Sequence, residues 1–400
     1  MTRELEACEE CGSGAVHHRL TYITVALDEF CKPLFATGPV SGFFAKGIYV
    51  LERIVTPQVM RFLLARGVAK RQLAPDDNTM LLAKVLWEEA EKRGIEMIEV
   101  RLFGLARNLF MAKLPNGRYV TFEGIPFPLW GVHEEWWIDN KDEMKKRFRK
   151  LGIPVAKGGA ALTLAGAKRL YKKLTPPVII KPYSGSASRH TTLHIDSEEE
   201  LTRAFHVALE VAPLAIIEEE LVGPVYRATV VDGKLIGVIR RDQPHVIGDG
   251  THTVRELMDE ANKHPARGGP YFSKMKIDDV ALKELAWQKL TPESVPEKGR
   301  RVTLHQKINW SVGGTTADVT DDVHPDNEEL FIRIAKVLKA PVVGYDFIIS
   351  DISRSWKTEE RCGIIECNSM PFFDNHHLPF EGKPRNVAGA IWDMISPTKS

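Results

Sequence analysis

Two apolar runs, "GYDFIIS" at 344–350 and "CGIIECNSMP" at 362–371, carry ionisable or amide groups where an ordinary core strand carries Val or Leu. Any fold that buries them must supply partners, because an isolated charge in a dry site is costly. Side chains alternate faces along a strand, so Glu366 and Asn368 share one face and Cys367 points to the other. If the polar stretch between the runs is a hairpin connection, the strands are neighbours and Asp346 sits opposite Glu366. Two carboxylates and an amide oxygen converging there would repel without a cation. An oxygen-only ligand set suits magnesium, which keeps several waters and bridges substrate phosphates. The other reading leaves the same groups facing solvent on the open side of a sheet.

Upstream, the chain alternates helical and strand patterns. Residues 77–94 read as a helix capped by Asp77 or Asn78, with Leu81, Leu82, Val85 and Leu86 on its apolar face and Gly94 as its stop. "IEMIEVRLFG" follows as a strand, which predicts a small α/β unit up to about residue 135. "DNKDEMKKRFRKLGIPVAKGG" opens a second unit. Asp139 or Asn140 can cap its helix, charges cover the exposed face, and Gly152 precedes Pro154. Ser197 with Glu200, and Thr253 with Glu256, have capping-box spacing. "YRATVVDGKLIGVIRR" reads as two strands turning at Asp232-Gly233. Residues 262–300 read as an ordered Pro-, Gly- and Lys-rich excursion. Helices alternating with mostly antiparallel strands predict a multi-domain α+β fold, not a doubly wound parallel sheet.

Three further stretches offer chemistry. In "IIKPYSGSASRH", Lys181 ends an apolar strand and Ser184, Gly185, Ser186, Ala187 and Ser188 form a small-residue loop. Backbone N–H groups of such a loop can approach phosphate oxygens, with the lysine as a point charge; a plain turn between strands has the same look. In "IIEEELVG", Glu218, Glu219 and Glu220 could hold an exocyclic amine or a ribose hydroxyl, or form a solvated acidic face. In "RRDQPHVIGDG", Arg240 or Arg241 could pair with an anion beside the tight turn at Gly248-Asp249-Gly250, or sit on the surface of a hairpin.

The net charge of +1 gives no field favouring nucleic acid or an anionic membrane. No apolar run approaches the roughly 18 residues of a membrane span, and "MTRELEACEE" lacks the apolar core of a secretory signal. The five cysteines, Cys8, Cys11, Cys31, Cys362 and Cys367, are sparse and odd in number, as expected of reduced thiols in a cytoplasm-like compartment. Cys8 and Cys11 form a lone CxxC followed by His17 and His18; a zinc site and an ordinary terminus are both open readings.

Taken in order, Lys181 with its small-residue loop, the acidic strand end, Asp346 and Glu366-x-Asn368 resemble the ATP-grasp superfamily. "HVIGDGTHTVRELMDEAN", "SVPEKGRRVTLHQKINWSVGGTTADVTDDVHPDN" and "IIECNSMPFFDNHHLPFEGKPRNV" look like the ATP-grasp modules of cyanophycin synthetase and bifunctional glutathione synthetase. The resemblance covers about residues 136 to 395. It implies two α+β subdomains gripping ATP behind a small N-terminal α/β domain, divided as 1–135, 136–222 and 223–400. It implies an ADP-forming carboxylate–amine ligase using ATP and Mg2+. Lys141 and Lys181 would contact phosphates, and the loop from Ser184 to Arg189 would close over them. Glu218 and Glu219 would face the adenine side. Asp346, Glu366 and Asn368 would hold magnesium. Arg241 would meet phosphoryl or acyl phosphate oxygens, and Asn309, Ser311, Gly313 and Gly314 would line the acyl intermediate.

Three positions depart from that pattern. Val225 stands where the family has an acid, His305 where it has an arginine, and Phe372 where it has a glycine. No P-loop of a Mur-ligase-like module is present. The substrates implied are a small-molecule or peptide carboxylate and an amine, with no nucleic acid or membrane partner, and a homo-oligomer is allowed. A small-molecule kinase on the same fold and a non-catalytic nucleotide-binding regulator are the alternatives.

Overall fold

The computed structural model describes residues 18, 21–23, 39–77, 79–102, 108–128, 137–138, 141–183, 190–269, 271–306, 308 and 310–397. Strands β1 (Ala69–Gln72), β2 (Glu96–Leu102), β3 (Leu109–Lys113) and β4 (Tyr119–Glu123) form an antiparallel sheet in that order. Helix α1 (Pro39–Ala65) precedes it, and α2 (Leu81–Lys92) lies on its other side. Helix α2 starts later than the expected residue 77. Asp76 and Thr79 close a turn on themselves first: the Asp76 N–H donates to the Thr79 hydroxyl at 3.0 Å, and that hydroxyl donates back to the Asp76 carboxylate at 3.2 Å. Met80 is therefore the N-cap and no side chain caps it. The Asn78 part of that expectation lies outside the described residues.

After α3 (Lys141–Lys150), strands β5 (Gly158–Ala161), β6 (Val178–Pro182), β7 (Thr192–Ile195) and β8 (Ala215–Glu219) form a second antiparallel sheet in the order β5-β8-β6-β7. Helices α4 (Leu164–Tyr171) and α5 (Glu198–Leu209) cover one face of it with Ala167, Leu201, Ala204 and Phe205. Ser197 caps α5 through Glu200 N–H, but the Glu200 carboxylate takes the N–H of Asp196, so the box is half made.

The largest sheet has β9 (Val225–Val231), β10 (Lys234–Asp242), β13 (Thr315–Asp318), β14 (Val342–Ile348) and β15 (Gly363–Asn368) in the order β13-β10-β9-β14-β15, all antiparallel. Asp232 and Gly233 both have positive φ, 48° and 71°, which makes the tight β9–β10 turn. Gly223 joins the second sheet to the third at φ +125°; a Cβ there would lie 2.2 Å from the carbonyl oxygen of Ile349, so only glycine fits this crossing.

One face of the large sheet carries Tyr226, Ala228, Val343, Tyr345 and Phe347, packed against Leu330, Phe331 and Ile334 of α8 (Pro325–Leu338). Cys367 joins this apolar face. Alternation then sends Arg227, Asp346, Glu366 and Asn368 to the opposite face.

Between β10 and β13 the chain makes β11 (His245–Ile247), α6 (Val254–Ala261), α7 (Asp279–Trp287) and β12 (Arg301–Thr303), with a small core of Val254, Met275, Leu285 and Val302. Among its described residues the excursion packs around this core, and it contains a helix, α7, that composition alone did not suggest. Thr253 and Glu256 form a complete capping box.

The last helices are α9 (Asp374–His377) and α10 (Val387–Ile395). Helix α10 completes the core beneath the first sheet: Ile391 and Trp392 pack with Leu86, Trp87 and Phe122, and the indole N–H of Trp392 donates to Leu86 O at 2.9 Å. No described helix is long and apolar enough to cross a membrane.

A buried polar pocket below the large sheet sets an acid response. His376 is fully buried, its Nε2 lies 2.8 Å from the Thr229 hydroxyl, and burial first, then Arg227, pushes it down to about 3. Burial holds its neighbour His377 at about 4 and pushes Asp374 up to about 6. An unfolded histidine takes its proton near 6.5, so as pH falls from there the unfolded state binds more protons and stability drops, by up to about 1.4 kcal/mol per unit for each group. Asp374 acts oppositely between its unfolded value near 4 and about 6. In that interval the folded state binds the extra proton, so acidification favours folding. Asp374→Asn removes this offset. Denaturant titrations from pH 6 to 4 should show stability falling more steeply in the variant than in the parent.

Candidate active site

The registers place a charged row across three strands. Asp346 on β14 is opposite Arg227 on β9 and opposite Glu366 on β15, and Gly344 is opposite Asn368. Arg227 grips Asp346 with two bonds: its Nε donates to Oδ1 and its Nη2 to Oδ2 at 3.0 Å. Arg241 on β10 adds Nη1 to Oδ2 at 3.3 Å. Burial alone would push the Asp346 carboxyl up, but the two guanidinium groups outweigh it and hold it below the usual carboxylate range. Arg241 feels the opposite balance: burial and the like charge of Arg227 lower it, although Asp346 pulls back.

Helix α3 brings the second set. Lys141 at its first turn lies 3.8 Å from Glu366, and its ammonium is pushed down by burial and by Lys181 despite the nearby acids. One turn on, Lys145 is wholly buried. Its Nζ contacts the two oxygens of Glu218 at 2.5 and 2.6 Å, and Lys181 Nζ reaches Glu218 Oε2 at 2.9 Å. Burial, with Lys181 beside it, pushes Lys145 down to about 7. Burial opposes ionisation of Glu218, yet Lys181 and Lys145 prevail and keep it at about 2. The lysine at β6 and the acid at β8 share a face because Lys181 pairs with Ile216 and Ile179 with Glu218.

Five cationic side chains, Lys141, Lys145, Lys181, Arg227 and Arg241, thus surround three carboxylates, Glu218, Asp346 and Glu366. The excess positive charge suits a polyphosphate. The donor set also fits a hard cation. Glu366 is partly exposed, and the amide nitrogen of Asn368 is buried with no protein partner among the described residues, so no hydrogen bond fixes which way the amide faces and its oxygen is the atom that would take a cation.

The acid Glu219 points to the other side of its strand, where it accepts the Thr175 N–H at 3.0 Å and borders a cavity of about 200 Å3 beside Leu221 and Trp356. Glu218 and Glu219 therefore serve different surroundings. Arg240 pairs with Asp242 at 2.8 Å and does not reach Asp346.

A further cavity of about 460 Å3 opens beside the excursion, lined by Pro244, Lys274, Lys276, His305, Ser311 and Val312. The loop after it is fixed from below: Gly313 has φ +96° over Met275, and Arg267 donates to its carbonyl at 2.8 Å. Arg241 links this loop to the charged row through Nη2 and the Ile308 carbonyl at 3.3 Å. Among the sequence-predicted residues, Lys141, Lys181, Glu218, Arg241, Asp346 and Glu366 come together with Asn368 on the same face, and His305 and Ser311 line the adjoining cavity. Ser184, Gly185, Ser186, Ala187, Ser188, Arg189 and Asn309 lie outside the described residues.

Sequence reasoning missed Lys145 and Arg227. The charged face of "KDEMKKRFRK" was expected to be solvated, but Asp142 and Lys145 are buried. Lys145 follows Lys141 by four residues, the spacing that puts two side chains on one helix face. Arg227 is the one charged residue of its strand, directly across from Asp346.

No family model matches the chain. It is 34% identical over 317 residues to cyanophycin synthetase of Nostoc sp., covering 78% of this chain and 34% of that protein. It is 32% identical over 266 residues to the glutathione biosynthesis bifunctional protein of Clostridium perfringens, covering 64% of this chain and 34% of the relative. The chain thus spans about a third of the length of these relatives. The crystal structure of a bifunctional glutathione synthetase from Pasteurella multocida superposes with a TM-score of 0.60 at 26% identity, over 80% of this chain and 44% of that one.

Proposed function

The chain belongs to the ATP-grasp superfamily, and on that premise we propose that it is an ADP-forming ligase joining a small-molecule or peptide carboxylate to an amine. The meeting of Lys141 with Glu366 and of Arg241 with Asp346, with Lys181 held by Glu218 close enough to Lys141 to lower it, carries this reading. In it, residues 1–135 precede a lid of 136–222 and a metal-bearing subdomain of 223–400.

A carboxylate oxygen of the first substrate attacks the γ-phosphorus of ATP, and ADP leaves. The neutral amine then attacks the acyl carbon, its C–O bond to phosphate breaks, inorganic phosphate leaves, the nitrogen gives up a proton, and an amide remains. Such chemistry needs positioning and charge neutralisation rather than a protein nucleophile. Lys141 and Lys181 hold phosphate oxygens, assisted by the backbone of Ser184, Gly185, Ser186, Ala187 and Ser188. Glu218 positions both Lys181 and Lys145. The strand end from Glu218 and Glu219 to Leu221 flanks the adenine. Asp346, Glu366 and Asn368 would hold Mg2+, which when bound supplies neutralisation of the transferring phosphoryl charge. Arg241 meets the phosphoryl oxygens and ties them to the loop bearing Asn309 and Ser311. His305 faces the acyl group from the cavity wall.

His305 is the specific feature favouring the second reading, a kinase that stops at phosphoryl transfer, because a neutral imidazole offers one donor where the family's arginine offers several. Hydroxylamine separates the two: an acyl phosphate yields a hydroxamate, and a stable phosphoester yields none. With a panel of amino acids and short peptides as substrates, hydroxamate and ADP should form together. His305→Ala should keep hydroxamate formation while slowing amide formation, and His305→Arg should retain or raise it. ADP release without hydroxamate for any active substrate would replace the ligase by the kinase. A parallel fall of both yields in His305→Ala would make His305 a structural residue.

A further inference from the structure

Glu220, the third acid of the run at 218–220, grips His194 twice: its Oε2 accepts the His194 backbone N–H at 3.0 Å, and its Oε1 lies 3.0 Å from His194 Nδ1. His194 sits in β7, an edge strand of the second sheet. The register passes from Val178–Ile195 to Ile180–Thr192, two steps on β6 against three on β7, so β7 bulges here. His194 takes φ 57°, a left-handed value that residues other than glycine seldom adopt. A bulge of this kind breaks the alternation of a strand and re-aims a side chain. The imidazole meets Trp287, the last residue of α7: the rings stack with centroids 5.2 Å apart and 12° between their planes. The Glu220 hydrogen bond raises His194 above the ordinary histidine value against the effect of burial, and Glu284 and Asp196 add to it, which favours an imidazolium over the indole face. Trp287 is 63% exposed and stands apart from the small core of the excursion, so internal packing does not account for its place.

We propose that His194 and Trp287 form a clasp that positions the sheet carrying Lys181 against the excursion that walls the cavity of His305 and Ser311. The pair joins elements that serve the two reactants. Strand β7 pairs with β6, which carries Lys181. Helix α7 starts from Asp278, which lines the cavity and caps the helix by accepting the Ala281 N–H at 3.0 Å. Just past Trp287, Gln288 holds β12 with two bonds: its Nε2 donates to the Thr303 carbonyl at 2.8 Å, and its Oε1 accepts the Thr303 N–H at 3.2 Å. Leu304 and His305 come next, on the cavity wall. A shift of β7 against α7 therefore changes the separation between Lys181 and the cavity, which in the ligase reading the phosphoryl group has to bridge. Transfer between two bound partners depends steeply on such placement. Neither residue belongs to the charged row, so both act through the position of others.

The role of the clasp rests on the ligase reading, whereas the contact itself does not, and two measurements on the full chain separate them. Tryptophan emission reads the contact, because an imidazolium stacked on an indole quenches it. His194→Ala should raise the emission of the parent and leave that of Trp287→Phe unchanged. Calorimetric titration with MgATP reads the role. The clasp raises the share of molecules in the arrangement that binds nucleotide, and apparent affinity falls with that share. His194→Ala and Trp287→Ala should each weaken MgATP binding by about 2- to 5-fold, the scale of an exposed cation–π contact. The double variant should lose no more than either single one, as expected of two residues that act through one contact. Trp287→Phe keeps an aromatic face and should recover most of the affinity lost in Trp287→Ala. The proposal is overturned if His194→Ala leaves the emission of the parent unchanged, if both single variants bind MgATP as tightly as the parent, or if the two losses add in the double variant. A parent that binds no MgATP overturns the ligase reading and the role of the clasp together, while the emission result still reports the contact.

Discussion

Glu366→Gln should abolish magnesium-dependent ADP formation and leave the thermal stability of the chain near that of the parent, whereas Asp346→Asn should lose both. The two acids face each other across β14 and β15 but live in different surroundings. Glu366 is partly exposed, and its close cation is Lys141 at 3.8 Å. Its charge can be removed at modest cost, because Lys141 is only half-buried and keeps Asp346 and Glu218 nearby, so the change falls mainly on the substrate and the metal. Asp346 is buried and gripped by Arg227, with Arg241 adding a third contact. Asparagine in its place leaves a buried guanidinium without its counter-charge. Breaking a buried pair from one side costs about 3–5 kcal/mol. Calorimetry together with an ADP assay separates the outcomes. Turnover in Glu366→Gln at a tenth of the parent rate or more would remove Glu366 from the metal set. An unchanged melting temperature in Asp346→Asn would mean that Arg227 finds another partner.

The second large effect is expected at Glu218. Glu218→Gln leaves the buried Lys145 and its neighbour Lys181 around a neutral amide, again a loss of about 3–5 kcal/mol. A ligand that binds only the folded chain stabilises it in proportion to its affinity. In the variant, the phosphates of ATP supply the missing negative charge. The thermal shift produced by MgATP should therefore be larger in Glu218→Gln than in the parent, even though the unliganded variant melts lower. A carboxylate whose main task is to hold the adenine would give the reverse: the MgATP shift would shrink. Thermal scans with and without nucleotide decide between them.

The parts of this arrangement that were legible in the sequence are those with a local period. Strand alternation put Glu366 and Asn368 on one face with Cys367 on the other, and the short polar connection put Asp346 opposite Glu366. Asp232-Gly233 and the Thr253–Glu256 box announce themselves through turn and cap chemistry within a few residues. What sequence reasoning could not supply depends on contacts between distant segments. Lys145 looks like one more charge on a solvated helix until β8 is laid beside it. Arg227 gains its meaning from Asp346, 119 residues away. The late start of α2 follows from a competing turn between Asp76 and Thr79 that the apolar pattern of the helix does not report.

The packing of α10 under the first sheet ties the molecule to the direction in which it is made. Leu86, Trp87 and Phe122 emerge from the ribosome about 270 to 305 residues before Ile391 and Trp392 arrive to cover them. At roughly 5–20 residues per second, that interval is on the order of 15–60 s. Throughout it, the nascent sheet displays an apolar surface whose cover has not yet been translated. The early segment is therefore a natural client for a chaperone holding apolar surface, and stalled translation between residues 130 and 385 should leave it prone to aggregate.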